Sequence, residues 1–532
     1  MGLLIFLVFS YVLLSLSLYF VFEKVGEAGW KGLVPGLNFV VWSKLIGRSP
    51  YYPLWLLVPI VNIFAFVGMC IDLVRSFGKY SFWHSVLAVV YPPAFFFYLG
   101  LNKEEKFIEP AWKKEQEYLA QLKEAMKKGD KRSLRKLQQS PYAKSTPREW
   151  VESIIFAVFA AAFIRMFLIE AYMIPTSSME GTLLVGDYLF VSKIHYGLRM
   201  PMTVIQIPLL HNRIPGIGEE SYLKKPQLPY KRLPAIQKIK RNDIVVFNYP
   251  EGDSVYITPH RTYSIYDKRR NPENLRPLLR GKKLVTRPID KKDHYVKRCV
   301  AIAGDSLQII DRQLYINGQK APNPKYIQFI YAVTFSQPVN TSSFAQWGIS
   351  REDLKGADKN NPLKYYIVLN REQIEKLKSL DPQLKVEVMD FAAYSYNPHQ
   401  VFPYAPQFFP DWTIDNYGPI YVPKAGSTIA LTPQNVVLYQ RLIEVYEGNK
   451  LSRHDGKFFI NDQAAETYTF KKNYYWMMGD NRHGSEDSRY WGFVPEDHIV
   501  GKPLFIFFSK RSGDSFWKSI RWNRLFKSAN SF

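Results

Sequence analysis

Four long apolar runs constrain this chain more than any other feature. Gly2 to Phe22 carries no charged side chain and is long enough to cross a hydrocarbon core of ~30 Å. No small-residue cleavage pattern follows it, so it reads as a retained transmembrane helix and not as a removable leader. Pro53 to Ile71 is a second uncharged run, with Pro59 and Asn62 as its irregularities, and Ser81 to Leu101 is a third, weakened by His84 and the Pro92-Pro93 pair. Trp150 to Ile174 is the fourth; its centre, Ser153 to Ile164, is uncharged, and Arg165 and Glu170 lie near its far end. Charges there are tolerated when they snorkel to the interface or pair.

Orientation follows from the loops. The segment "KKEQEYLAQLKEAMKKGDKRSLRKLQQSPYAK" between the third and fourth runs is dense in lysine and arginine, which keeps it cytoplasmic under the positive-inside rule. It reads as a solvated, partly helical linker. The chain after Ile174 is then extracytoplasmic.

With 532 residues, 47% of them hydrophobic, the chain exceeds one domain and suits a mixture of membrane and soluble parts. A formal net charge of +23 invites a nucleic-acid reading, but no zinc-finger, RNA-recognition or basic-zipper pattern accompanies it. A basic balance is equally expected of a protein held against anionic lipid, so the expected partner is the bilayer and not nucleic acid. The two cysteines, Cys70 and Cys299, lie far apart and read as unpaired and packed.

The part beyond the fourth run is mainly β. "DIVVFNY", "LVTRP", "YVKRCVAIA", "SLQIIDRQLYING", "KFFIND" and "PLFIFF" are β-branched and aromatic runs bounded by turn residues. Asn317-Gly318 and Asn461-Asp462 mark two hairpins. No GxGxxG, GxxxxGK[ST] or GxSxG element occurs, which removes dinucleotide, P-loop and serine-elbow readings.

Four blocks carry the chemistry: "IPTSSMEGTLLVGDYLFVSK" from Ile174, "RNDIVVFNYP" from Arg241, "YVKRCVAIAGD" from Tyr295 and "MGDNRHGSEDSRYWGFVP" from Met478. In this order, after a transmembrane helix, they resemble the boxes of bacterial type I signal peptidase, the membrane-bound Ser/Lys leader peptidase. The resemblance implies Ser178 as nucleophile and Lys297 as general base. It implies Thr176 as an oxyanion-hole hydroxyl, working with the Ser178 N–H, and Ser485 as the serine that orients the lysine amine. Met179, Arg298, Asp480, Arg482, Asp487 and Arg489 match positions that support the site. It also implies secreted preproteins as substrate, cut after small residues in an Ala-X-Ala-like pattern, with no metal or cofactor. The implied location is the bacterial inner membrane, multi-pass, with the catalytic part on the periplasmic side; the protein-export machinery stays open as a partner.

The residue types make chemical sense by themselves. A lysine at its ordinary pKa is charged at neutral pH and accepts no proton, so a lysine base must be desolvated. Strand alternation points Lys297 one way and Val296 and Arg298 the other, which allows its amine to be buried. Two other readings stay open. A non-catalytic relative would have lost Ser178 or Lys297, and neither is lost; a self-cleaving Ser/Lys regulator would be soluble and carry a DNA-binding module.

The expected architecture is therefore an N-terminal α-helical membrane region with about four transmembrane helices, followed by a mainly-β extracytoplasmic domain resembling the signal peptidase and LexA-like Ser/Lys peptidase fold. Three helices fall in 1–101, a basic cytoplasmic linker in 102–150, and the fourth helix in 151–174. The catalytic core occupies 175–319 and 441–512, a mixed α/β subdomain is inserted at 320–440 on the side away from the site, and 513–532 is a basic aromatic tail that packs on the core or lies on lipid. Gly181 stands where the family commonly has proline, which is expected to loosen the turn. His483, Glu486 and Asp487 have a spacing common by chance, and His483 is expected to be a solvated loop side chain.

Overall fold

Apolar runs fold here as helices and alternating runs as strands, in a computed structural model that describes residues 2–57, 61–143, 146–216, 219–258, 261–340, 342–350, 352–390, 400–511 and 516–529. Two units result, Met1–Ala157 and Val158–Phe532.

The N-terminal unit is helical. Gly2–Val25 packs against Pro92–Leu101, and Leu18, Phe22, Trp42, Ile46, Met69, Leu73, Phe96 and Leu99 form its buried core with Cys70. Both cysteines are buried and free. Lys24 closes the contact by donating to the carbonyls of Leu99 at 2.7 Å and Asn102 at 2.5 Å.

The expected four spans are not all seen among the described residues. Among the described residues two helices are long and apolar enough to cross a membrane, with windows at Val8–Val25 and Glu149–Phe167; a third arises if Phe82–Val90 and Pro92–Leu101, bent by 115°, count as one. The bend has a covalent cause, because prolines at the start of the second helix cannot continue the first. The second run divides into a 3₁₀ stretch, Tyr52–Leu57, and the 16-residue helix Val61–Ser76; its Pro59 lies outside the described residues. Sixteen residues rise only about 24 Å, and the helix carries Asp72, paired to Arg48 at 2.7 Å, and Arg75. The fourth helix, Thr146–Phe167, stops short of Ile174.

The chain from Ile169 is already sheet. Seven strands build the larger unit's main sheet: β1 (Ile169–Met173), β2 (Asp187–Ser192), β3 (Ile244–Asn248), β4 (His294–Ala301), β5 (Tyr474–Met478), β6 (Val494–Pro495) and β7 (Ile499–Ser509). Their order is β1-β2-β7-β3-β4-β5-β6, antiparallel throughout. All of β3 is buried. Ile244 and Val246 enter one cluster with Met179, Leu189 and Ile506, whereas Val245 and Phe247 enter another with Cys299, Met477 and Trp491. Period-2 alternation thus feeds two cores, one on each face.

Both expected hairpins form. Asn317 and Gly318 have φ of 52° and 77°, and Asn461 and Asp462 have 52° and 65°, the left-handed pair that a tight two-residue hairpin turn requires.

The insertion is smaller than 320–440. Phe329–Thr334, Leu354–Ala357, Lys364–Leu369 and Lys385–Val388 make a separate four-stranded sheet, covered by the helix Arg371–Leu380 over its own core of Val333, Phe344, Ile367 and Leu377. Tyr417–Tyr421 instead pairs with Ser306–Ile310, and Val401, Phe402, Ile414 and Leu438 pack with Trp476 and Phe493. Residues 400–440 therefore belong to the larger core. The described tail, 516–529, packs on the core as well: Arg524 forks onto Asp187 at 3.1 and 2.6 Å and donates to Thr182 O at 2.8 Å, and Ile520 and Ala529 are buried.

Candidate active site

The loop between β1 and β2, from Ile174 to Gly186, is closed on itself. Met173 faces Tyr188 across the pair, Ile174 N–H donates to Asp187 O at 2.8 Å, and Gly186 N–H returns to Ile174 O at 2.9 Å. Inside it Ser177–Met179 forms one 3₁₀ turn, with Thr176 extended and exposed at its N-cap. Met179 anchors the turn by full burial among Leu183, Leu189 and Ile244. Ser178 remains half-exposed on the turn.

Lys297 reaches that turn from β4. Its amine lies 2.5 Å from Ser178 Oγ, and its side chain is 2% exposed. Burial pushes its pKa down to about 8; the carboxylates of Asp487 and Glu486 oppose the shift without reversing it. A group of this kind is neutral often enough near neutral pH to take a proton.

The supporting charges make two forked pairs. Arg298 donates to Asp480 at 2.8 and 2.6 Å, and Thr182 Oγ1 donates to the same carboxylate at 2.6 Å. Arg489 donates to Asp487 at 2.9 and 2.8 Å, and it reaches the carbonyls of Ile414 at 3.2 Å and Arg482 at 2.5 Å. Burial opposes ionisation of Asp487, but the Arg489 guanidinium and the Gly479 N–H hold its pKa below the ordinary carboxylate range. Arg482 is buried, its pKa pushed down to about 10 by desolvation, and its backbone N–H donates to Gln328 O at 2.9 Å.

Ser485 is buried beside Gly479, at a point where an added Cβ would meet Ser485 Oγ at 2.3 Å and Ser178 O at 2.4 Å. Its hydroxyl donates to Glu486 O at 3.4 Å. Among the described residues the Lys297 amine bonds to Ser178 and not to Ser485.

His483 is not solvated. Its side chain is fully buried, Nε2 lies 3.0 and 3.1 Å from the Asp415 carboxylate oxygens, and Nδ1 accepts from Ile330 N–H at 3.2 Å. Among the described residues no group of three His, Cys, Asp or Glu could hold a metal ion.

Nor does the insertion sit away from the site. Gln328 N–H donates to Asp480 O at 2.9 Å, and Gln328 forms a parallel bridge to Asn481. Asn481 in turn donates to Ser178 O and Ser177 O, each at 3.2 Å. Gly181 is pinned and not loosened: its φ is +92°, and a Cβ there would lie 2.4 Å from Tyr326 O. Burial, and next the Asp353 carboxylate of the insertion, push the Glu180 carboxyl up to about 7.

Sequence reasoning missed Thr182, Asn481, Gln328 and Asp415. The first two stood inside the four blocks, and polar side chains flanking the candidate serine and a buried charge were the available signal. Gln328 and Asp415 act across long sequence separations, where no local pattern exists.

The model of the family "Signal peptidase, peptidase S26" matches residues 147–354 and 424–508, together more than half of the chain, and skips much of the insertion. Residues 30–110 match a family of unknown function, DUF5684. Proteins named signal peptidase I are similar over most of their length. That of Buchnera aphidicola (Schizaphis graminum) is 25% identical over 70% of this chain and 79% of its own; that of Helicobacter pylori 26695 is 25% identical over 71% and 90%; and that of Haemophilus influenzae is 26% identical over 75% and 82%. The chain belongs to the signal peptidase family, peptidase S26, and resembles its bacterial type I members.

Proposed function

We propose that this chain is a membrane-bound serine endopeptidase that removes N-terminal signal peptides from secreted preproteins after small residues, with Ser178 as nucleophile and Lys297 as general base. One observation carries the assignment: a lysine only 2% exposed sits 2.5 Å from a serine hydroxyl on a half-exposed turn.

In this reading neutral Lys297 accepts the Ser178 proton as Oγ attacks the scissile carbonyl, then returns it to the leaving amine. Water repeats the sequence on the acyl-enzyme. Asp487, Glu486 and Asp480 favour the ammonium that forms in each half-reaction. Arginine is no substitute for the lysine, because a guanidinium stays charged. Thr176, exposed beside Ser178, is proposed to supply the oxyanion hydroxyl with the Ser178 N–H. Ser485 is proposed to orient the amine once substrate displaces the present hydrogen bond.

The preference for small residues rests on the family resemblance. Placement rests on charge: one span separates the lysine-rich linker from the catalytic unit, so the two lie on opposite sides however many spans precede them. That argues for a catalytic unit outside the cytoplasm, in a bacterial inner membrane. The test is cleavage of a model preprotein, in detergent, by wild type, Ser178→Ala and Lys297→Met. Loss of cutting in both folded variants supports the dyad, and retained cutting by Lys297→Met removes it.

A further inference from the structure

The helix Lys131–Gln138 carries Lys131, Arg132, Arg135 and Lys136, all exposed, around an open recess of about 450 Å³ that Gln139 completes. The helix packs back on the preceding one, Ala111–Lys128, and its leucines, Leu134 and Leu137, are half-buried. Its charged face is therefore turned outward.

Among the described residues no ion pair neutralises that face. Asp130 is occupied as the helix N-cap, accepting from Arg132 N–H, Ser133 N–H and Ser133 Oγ. Glu124 pairs with Lys128 at 2.5 Å. No acidic residue occurs from Lys131 to Arg148. Among the described residues none of the four cations has a carboxylate partner. Elsewhere in the unit, Arg48, Arg75 and Lys79 do have one.

Position adds a second constraint. The apolar span begins at Glu149, and the residues between Gln138 and that point reach at most about 40 Å when fully extended. The recess thus cannot leave the neighbourhood of the bilayer surface, where anionic headgroups attract juxtamembrane cations. We propose that this recess binds the phosphate groups of anionic lipid headgroups and so docks the linker on the membrane. The proposal rests on the reading of Thr146–Phe167 as a membrane span.

The test uses the full chain with Gln138→Cys, labelled with a fluorophore, since both native cysteines are buried. It is assembled into nanodiscs of phosphatidylcholine, with or without phosphatidylglycerol, containing a headgroup-spin-labelled quencher. Severalfold stronger quenching in the anionic discs is expected. Molar salt and the K131Q/R132Q/R135Q/K136Q variant should both remove it, while that variant keeps its preprotein cleavage in detergent. Equal quenching in the two lipids overturns the proposal. Relief of quenching by low inorganic pyrophosphate also overturns it, in favour of a soluble phosphate ligand. Failure to assemble into neutral discs would instead indict the membrane reading.

Discussion

Lys297 and Arg298, neighbours on one strand, hold opposite sides of the site: Lys297 reaches Ser178 Oγ at 2.5 Å, and Arg298 forks onto Asp480 at 2.8 and 2.6 Å. One alternation of the pleat separates the lysine proposed to lose its charge from an arginine held as a cation by its carboxylate. The lysine has a hydroxyl for its partner, and the arginine has a carboxylate.

This division gives a pH dependence. With its pKa near 8, Lys297 is protonated and idle at lower pH, so kcat/KM should rise with pH and level off above about 8. Ser178→Ala and Lys297→Met should each lose on the order of 10³-fold or more, and Lys297→Arg should not recover. A profile for wild type that is flat between pH 6 and 9 would assign the base elsewhere.

The same shift has a stability consequence. The ordinary lysine value is near 10.5, and the folded value is about 8. The unfolded chain therefore binds more protons between these limits, and stability rises with pH across that window. Below about 8 both states are protonated and the full penalty remains, about 3 kcal/mol. Lys297→Met should raise the Tm at pH 7 while abolishing cleavage, and its advantage should shrink towards pH 10. An unchanged Tm would mean that the amine is already compensated.

The blocks that meet at the candidate site were legible because each is local: a serine on a turn, a lysine in an apolar strand, and acids and arginines packed into one loop. The hairpins at Asn317 and Asn461 were legible for the same reason. What escaped was non-local. Residues 400–440 look like inserted chain, yet Tyr417–Tyr421 pairs with Ser306–Ile310 across a gap no sequence period marks. His483 reads as a loop residue until Asp415 and Ile330 are brought to it. Span counting from apolarity alone ran ahead of helix length at Pro53–Ile71, where the described residues hold a 3₁₀ stretch, Tyr52–Leu57, and the 16-residue helix Val61–Ser76.

Topology can be checked separately. Reporters fused after Asp130 and Glu220 should map to the cytoplasm and the outside whatever the span count. A reporter after Arg75 decides the bent pair: an outside position means that Phe82–Leu101 crosses the membrane, and a cytoplasmic one means that it does not. A cytoplasmic reporter at Glu220 would sink the proposed access to secreted preproteins.

The forked pair of Arg298 makes a second stability prediction. Asp480 is fully buried and Arg298 nearly so, so Asp480→Asn leaves a guanidinium without its counter-charge, at a cost of about 3–5 kcal/mol. Removing both charges, as in Arg298→Met with Asp480→Leu, should recover much of that in thermal unfolding but not restore full activity, since Asp480 also holds Thr182 Oγ1 at 2.6 Å. A single Asp480→Asn variant with wild-type Tm would show the pair to be dispensable.

Gly181 links the insertion to the Ser178 turn. At φ +92° it already occupies backbone space that disfavours a side chain, and its Cβ would lie 2.4 Å from Tyr326 O. The obstacle is a backbone carbonyl, so trimming Tyr326 cannot relieve it. Gly181→Ala must shift either the Tyr326–Ile330 segment or the Ser177–Met179 turn. Because Asn481 ties that segment to Ser177 O and Ser178 O, either shift reaches Ser178. A displacement near 1 Å at a nucleophile can cost on the order of 10²-fold. Gly181→Ala should therefore lower kcat by about that factor, and Gly181→Ala with Tyr326→Gly should be no better. Full activity in Gly181→Ala would show that the insertion does not brace the nucleophile turn.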